Sequence, residues 1–155
     1  MDRDKLFETV DNKRALFGLF FSFDNRLQSA GDSFYKEITC KQFFLLICLF
    51  VFKKKHPTIS ELSEFMGSSH QNVKQIVNKL EAKGYVSTYF DKDDRRKLRV
   101  RSTQEVIDLG DKYRAKEVDF IERLYENVTA KEIESTFKTL LKIDGNLGKI
   151  REESK

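Results

Sequence analysis

Proline occurs once, at Pro57, and glycine only seven times in the 155 residues. A large all-β fold needs more turn residues than that, so the chain is expected to be mainly helical. Cysteine is as scarce. Cys40 and Cys48 lie eight positions apart, and the chain has two histidines. That is neither a CxxC pair nor a zinc spacing, so no metal or other cofactor is expected. Both thiols read as small apolar core residues in a reducing cytosol rather than as a redox switch. Long apolar runs are missing too. The longest, FFLLICLFVF from Phe43 to Phe52, has ten residues, about half of what spans a bilayer. Met1 leads into a charged, amphipathic stretch instead of the short apolar core of a secretory signal. A cytoplasmic protein without a membrane partner is expected. No nucleophile–base pair or glycine-rich phosphate loop is visible, and His56 and His70 lack an obvious partner, so no enzyme is expected.

Apolar residues make up 39% and charged residues 35%, too apolar for disorder and enough for the core of one compact domain. The net charge of +4 says little until it is mapped along the chain. From Ser68 to Thr103 nine Lys or Arg face four acids, a surplus of five, which leaves −1 for the remainder. A basic stretch on a balanced protein is the footprint of a phosphate-binding face, or an ordinary solvated surface.

Apolar residues from Lys5 to Leu27 recur at three- and four-residue steps, predicting a long first helix with a Phe-rich stripe. The stripe is wider than one small domain needs, so part of it is expected to meet another subunit. SAGDS, Ser29 to Ser33, should break this helix. Thr39 with Gln42 reads as a capping box opening a buried helix through about Phe52, with Lys53 to Lys55 suited to its negative end. Thr58 with Glu61 starts a short helix that Gly67 closes, and Ser68 or Ser69 caps the next, which Gly84 ends. Tyr85–Phe90 and Leu98–Ser102 flank the charged turn DKDDRR as a β-hairpin. Two further helices follow, the first to about Asn127 and the second capped by Thr129 with Glu132.

Short helix, tight turn, second helix and hairpin is the order of a winged helix-turn-helix. In that arrangement the second helix buries one stripe and shows its opposite face to the DNA major groove. Here the stripe is Val73, Ile76, Val77 and Leu80. The opposite face carries Ser69, His70, Gln71, Asn72, Lys74, Gln75, Asn78 and Lys79, mostly neutral hydrogen-bonding groups of the kind that read base edges. Ser68 and Ser69 sit at the helix N-terminus, where free N–H groups attract a phosphate. Arg95 and Arg96 at the wing tip suit a narrow minor groove, and one of the acids Asp91, Asp93 and Asp94 is expected to orient an arginine. An ordinary charged turn is the alternative.

The stretch TISELSEFMGSSHQNVKQIVNKLEAKGYVSTYFDKDDRRKLRVRST resembles the DNA-binding lobe of the MarR family, most specifically in NKLEAKGYV and DDRR. The flanking helices resemble that family in length and order. The resemblance implies a mainly α fold: a winged helix-turn-helix with a two-stranded wing, embedded between N- and C-terminal dimerisation helices. Residues 1–37 and 104–155 would form the dimerisation region and 38–103 the DNA-binding region. It also implies a homodimer on a pseudo-palindromic duplex operator, a repressor released by a small aromatic ligand. Asp94 and Arg96 match the family's wing Asp-x-Arg, and Lys74 stands where a DNA-contacting arginine is usual. Val73 replaces a common threonine. Ser102-Thr103-Gln104-Glu105-Val106 stands in place of Leu-Thr-x-x-Gly. Cys40 and Cys48 lie later than the cysteine of the family's oxidation-sensing branches. Phe20, Phe21, Phe43, Phe44 and Ile47 are open to two accounts, core filling or a pocket for a flat aromatic ligand. The alternative function is a winged-helix protein-interaction module without DNA binding, which would want an acidic or apolar face on the second helix.

Overall fold

The computed structural model describes residues 9–52 and 55–154. They form six helices and one antiparallel two-stranded sheet: α1 (Asn12–Asp32), α2 (Cys40–Val51), α3 (Ile59–Phe65), α4 (His70–Ala82), β1 (Val86–Phe90), β2 (Leu98–Ser102), α5 (Gln104–Leu124) and α6 (Ala130–Glu153). The chain divides into two compact units, Met1–Asp111 and Lys112–Lys155, where the sequence led us to expect one.

Local chemistry explains where the elements begin and end. Free N–H groups at a helix start need acceptors. Thr39 with Gln42, Thr58 with Glu61 and Thr129 with Glu132 form reciprocal capping boxes at α2, α3 and α6. Asp11 caps α1 by accepting from the Lys13 and Arg14 N–H groups. Gly67 and Gly84, with φ of +61° and +81°, let the chain leave α3 and α4 in the left-handed region that a Cβ disfavours.

The first helix departs from expectation. Lys5 and Leu6 lie outside the described residues, as do Lys53 and Lys54. SAGDS does not break α1, which continues to Asp32. Its small residues serve a close helix contact instead of a turn. A Cβ on Gly31 would stand 2.5 Å from Cys40 Sγ and 2.8 Å from Cys40 Cβ. Asp32 then accepts the Cys40 backbone N–H at 2.7 Å, serving the start of α2.

The core of the first unit is built from one face each of α2, α3 and α4 with the sheet. Leu45, Leu62, Val73, Val77, Leu80 and Val100 are fully enclosed. Val106 and Leu109 of α5 are also buried. The apolar α2 was expected to be buried throughout. It is buried only along Gln42, Leu45, Leu46, Cys48 and Leu49, while Phe44, Ile47, Phe50 and Val51 are exposed. A single chain supplies cover for one of its faces. On α1 nothing is fully buried, and Phe17 and Phe21 are each 62% exposed. In the second unit α6 carries Ile133, Phe137, Leu140, Leu141 and Leu147 exposed along a helical stripe. Among the described residues no helix is long and apolar enough to cross a membrane.

Both cysteines are free, Cys48 buried and Cys40 half-buried. Burial pushes the Cys48 thiol up to about 11 and also raises Cys40, to which Asp32 and Asp24 add repulsion. Burial therefore disfavours the thiolate, the reactive form, at both positions.

The α1–α2 contact yields a prediction. Gly31→Ala should destabilise the protein by about 1–3 kcal/mol, the usual cost of overpacking. Cys40→Ala in the same chain should restore only part of this, because the Cys40 Cβ remains in the way. Chemical denaturation of the single and double variants measures both.

Candidate nucleic-acid interface

Helix α4 is held at both ends and along one face. Ser69 Oγ accepts the Asn72 backbone N–H at 3.2 Å, which starts the helix. Ser68 Oγ accepts from Asn72 Nδ2 at 2.7 Å, and the Ser68 carbonyl accepts from Ser63 Oγ at 2.6 Å. Asn72, expected on the reading face, and Ser68, expected to attract a phosphate at the helix start, are thus half-buried and bonded within the turn. At the far end Glu81 accepts the Thr88 N–H and hydroxyl, both at 2.8 Å. Lys83 Nζ donates to the Glu37 carbonyl at 2.5 Å and to Gln42 Oε1 at 3.2 Å. Thr103, just before α5, donates to the Gly84 carbonyl at 2.6 Å.

With Val73, Ile76, Val77 and Leu80 buried, the helix has one way to face. Ser69, His70, Gln71, Lys74, Gln75, Asn78 and Lys79 are exposed. From Ser69 to Lys79 the face combines two lysines with hydroxyl, imidazole and amide groups that can donate and accept hydrogen bonds.

The wing follows. Strand β1 pairs with β2 in the register Val86–Ser102 to Phe90–Leu98. Its turn is closed by Asp91 N–H to the Lys97 carbonyl and Lys97 N–H to the Asp94 carbonyl, each 2.9 Å. Asp94 Oδ1 accepts from the Arg96 backbone N–H at 3.2 Å and from Arg96 Nε at 3.1 Å, and Oδ2 accepts from Nη2 at 3.4 Å. That pairing holds the Asp94 carboxyl below the usual carboxylate range. The Arg96 side chain stays 92% exposed. It is therefore aimed without being covered. Arg95 is exposed and lines, with Phe90, Asp91 and Lys92, an open recess of about 620 Å³.

A second Asp–Arg pair was not assigned from sequence. Arg99 and Asp91 are each 5% exposed and bonded through Arg99 Nε and Asp91 Oδ2. Arg99 Nη1 also donates to the His56 carbonyl and lies 3.6 Å from Glu61. Lys55, expected to serve the end of α2, has its Nζ 3.5 Å from Asp91. Strand alternation alone would send Arg99 outward with Arg101. It is buried because the segment before α3 runs beside β2, with Thr58 bridged to Arg99 and the Pro57 carbonyl accepting the Val100 N–H at 2.9 Å. The signal in the sequence was the surplus of acid in a turn otherwise suited to phosphate. His56 has a partner after all: its Nδ1 is 2.8 Å from the Tyr89 hydroxyl, and the Arg101 guanidinium sits 5.5 Å from the centre of the Tyr89 ring.

Residues 48–97 match the model of the MarR family. A MarR protein from Peptoclostridium difficile is 23% identical and superposes with a TM-score of 0.77, covering 95% of each chain. The chain carries the MarR-family fold, and its winged-helix segment matches that family. A DNA complex of MepR from S. aureus is 19% identical, with a TM-score of 0.71 over 83% of this chain and 95% of that one. PcaV from Streptomyces coelicolor, solved with its natural ligand, is 16% identical, with a TM-score of 0.73 over 88% and 96%. Comparison with curated protein sequences gives no match.

The residues weighed as a ligand pocket in this MarR-type fold are divided in their burial. Phe20 and Phe43 are half-buried, the latter 4.9 Å from the Tyr35 ring. Phe21, Phe44 and Ile47 are exposed. A second surface would have to close over them.

The buried pair has a pH signature. The Arg99 guanidinium, with the N–H groups of Asp93 and Asp94, holds the Asp91 carboxyl far below its ordinary 3.8, outweighing the opposing effect of burial. A carboxyl with a depressed folded value adds stability above its unfolded value, and that is lost as pH falls through the folded value. Asp91→Asn should therefore be less stable than wild type at pH 7. The gap should hold down to about pH 5 and shrink below pH 3.8. Urea unfolding at several pH values checks this.

Proposed function

We propose that this protein is a transcriptional regulator that binds duplex DNA sequence-specifically, as a homodimer on a pseudo-palindromic operator, and acts as a repressor. The observation that carries the reading is the face of α4. An exposed row of His70, Gln71, Lys74, Gln75, Asn78 and Lys79 stands on a buried stripe, beside a wing whose Arg96 is held by Asp94. Asn and Gln amides suit adenine edges in the major groove, and the lysines suit phosphates. The N-terminal N–H groups of α4 beside Ser68 and Ser69 suit a further phosphate. Asn72, bonded to Ser68, supports the turn more than a base. Arg96, with Arg95 beside it, enters the minor groove. Similarity to MepR, a protein solved with DNA, supports the same reading.

Dimerisation is supported by apolar surface the chain does not cover, on α1, on the outer face of α2 and on α6. In this reading residues 1–37 and 104–155 form the dimer scaffold and 38–103 the reader. A dimer lying across its operator excludes other proteins from that DNA, which is how it represses. The chain has no catalytic role, and its place of action is the cytoplasm.

A small aromatic effector releases it. Phe20, Phe21, Phe43, Phe44 and Ile47 line the ligand site once a second surface covers them, and similarity to PcaV, solved with its natural ligand, supports this. The ligand acts by preferring a dimer geometry in which the two α4 helices are misspaced for the operator.

Selection from random duplexes should recover an inverted repeat with half-sites about one helical turn apart, bound less tightly as salt rises. On that operator Arg96→Ala should cost about 1–3 kcal/mol and Lys79→Ala less. A monomer that enriches no motif refutes the reading. For the effector, a panel of aromatic acids and phenols is screened by thermal shift and by operator affinity. A true effector raises the melting temperature and weakens operator binding at least tenfold, which corresponds to about 1.4 kcal/mol of coupling. Stabilisation with unchanged DNA affinity counts against regulation.

A further inference from the structure

Asp91 and Arg99 are the buried charged residues among those described. A buried ion pair is seldom more stabilising than apolar side chains of the same volume, so stability alone explains its presence poorly. Its geometry explains more. A two-stranded ribbon is marginal on its own, and the exposed Lys92, Arg95, Arg96 and Lys97 give this tip little to pack on. The Arg99 guanidinium joins three separate pieces of backbone. It reaches Asp91 at the start of the turn, the His56 carbonyl before α3, and Glu61, the capping residue of α3. The other Asp91 oxygen accepts the N–H groups of Asp93 at 2.8 Å and Asp94 at 3.3 Å. Asp94 in turn holds Arg96. A path of hydrogen bonds thus runs from the segment just before the helix-turn-helix, through the buried pair, to the wing-tip arginine, and the Arg99–Glu61 ion pair at 3.6 Å ties it to α3.

We propose that Asp91 and Arg99 are positioning residues for DNA recognition: the pair locks the wing to the helix-turn-helix, so that Arg96 is presented at a set distance and angle from α4. The inference rests on the DNA-binding reading above and concerns neither residue as a DNA contact. A guanidinium has a rigid fork of donors, so it accepts one arrangement of its partners and rejects shifted ones. Holding the wing in place beforehand removes ordering entropy that binding would otherwise cost.

Two variants of the full chain test this, Asp91→Asn and the apolar replacement Asp91→Leu/Arg99→Met, in which no charge is left buried alone. Without DNA, amide hydrogen exchange in residues 92–97 should quicken roughly tenfold or more in both, while the amides of α4 stay protected. On the operator selected by wild type, Arg96→Ala should cost roughly tenfold less in either background than in wild type, and Lys74→Ala should cost the same throughout. A merely structural role would weaken both contacts alike. If Asp91→Asn loses protection in α4 as well, the apolar pair decides. An apolar pair with a quiet wing and an undiminished Arg96 effect overturns the proposal. If wild type selects no duplex, the DNA reading and this use of the lock fall together, and exchange alone decides whether the pair holds the wing.

Discussion

The burial of one stripe of α4 is the constraint on which the rest depends. Val73, Val77 and Leu80 are fully enclosed and Ile76 is buried beside them, each contributing about 1.5–3 kcal/mol by leaving water. A helix with one stripe buried has no freedom to roll about its axis. The direction in which Gln71, Lys74, Gln75 and Asn78 point is therefore a by-product of core packing. Helix α4 packs against α2, α3 and β1, so a disturbance of the core is also a disturbance of the polar face.

Polar contacts complete what packing leaves open. Packing fixes the roll of α4, while Glu81 to Thr88, Lys83 to Glu37 and Gln42, and Thr103 to Gly84 tie its C-terminal end to neighbouring segments. The wing uses the opposite economy. Its strands bury Val86 and Val100 at the base, and beyond that point charge replaces apolar surface as the organising force. Asp91 and Asp94 lower the net positive charge of the turn, at some cost in attraction for phosphate. In exchange each fixes an arginine, one inside and one in solvent.

The uncovered apolar surface is equally informative. Rings on α1 and a stripe on α6 stand in water in a single chain, more than a monomeric soluble protein ordinarily shows. The run from Phe43 to Phe52 makes the point sharply, because its residues are alike in polarity and differ only in which neighbours reach them.

Much was determined by the sequence alone. The capping boxes at Thr39, Thr58 and Thr129, the stops at Gly67 and Gly84, the period of the α4 stripe and the two strands are consequences of near-neighbour chemistry, and near neighbours are what a sequence displays. The polar face of α4 was legible for the same reason, whereas Asp94 was singled out as the partner of Arg96 only by the family resemblance, the three acids of the turn leaving the choice open. What lay beyond reach involves groups distant along the chain. SAGDS looks like a turn until Cys40 is placed against Gly31. His56 finds Tyr89 only across the fold. Arg99 looks like a surface arginine of an alternating strand until the segment 56–58 is laid beside β2. Period and propensity report which face a residue takes on its own element; only tertiary structure decides what arrives at that face, because burial is a property of two surfaces and a sequence lists them one at a time.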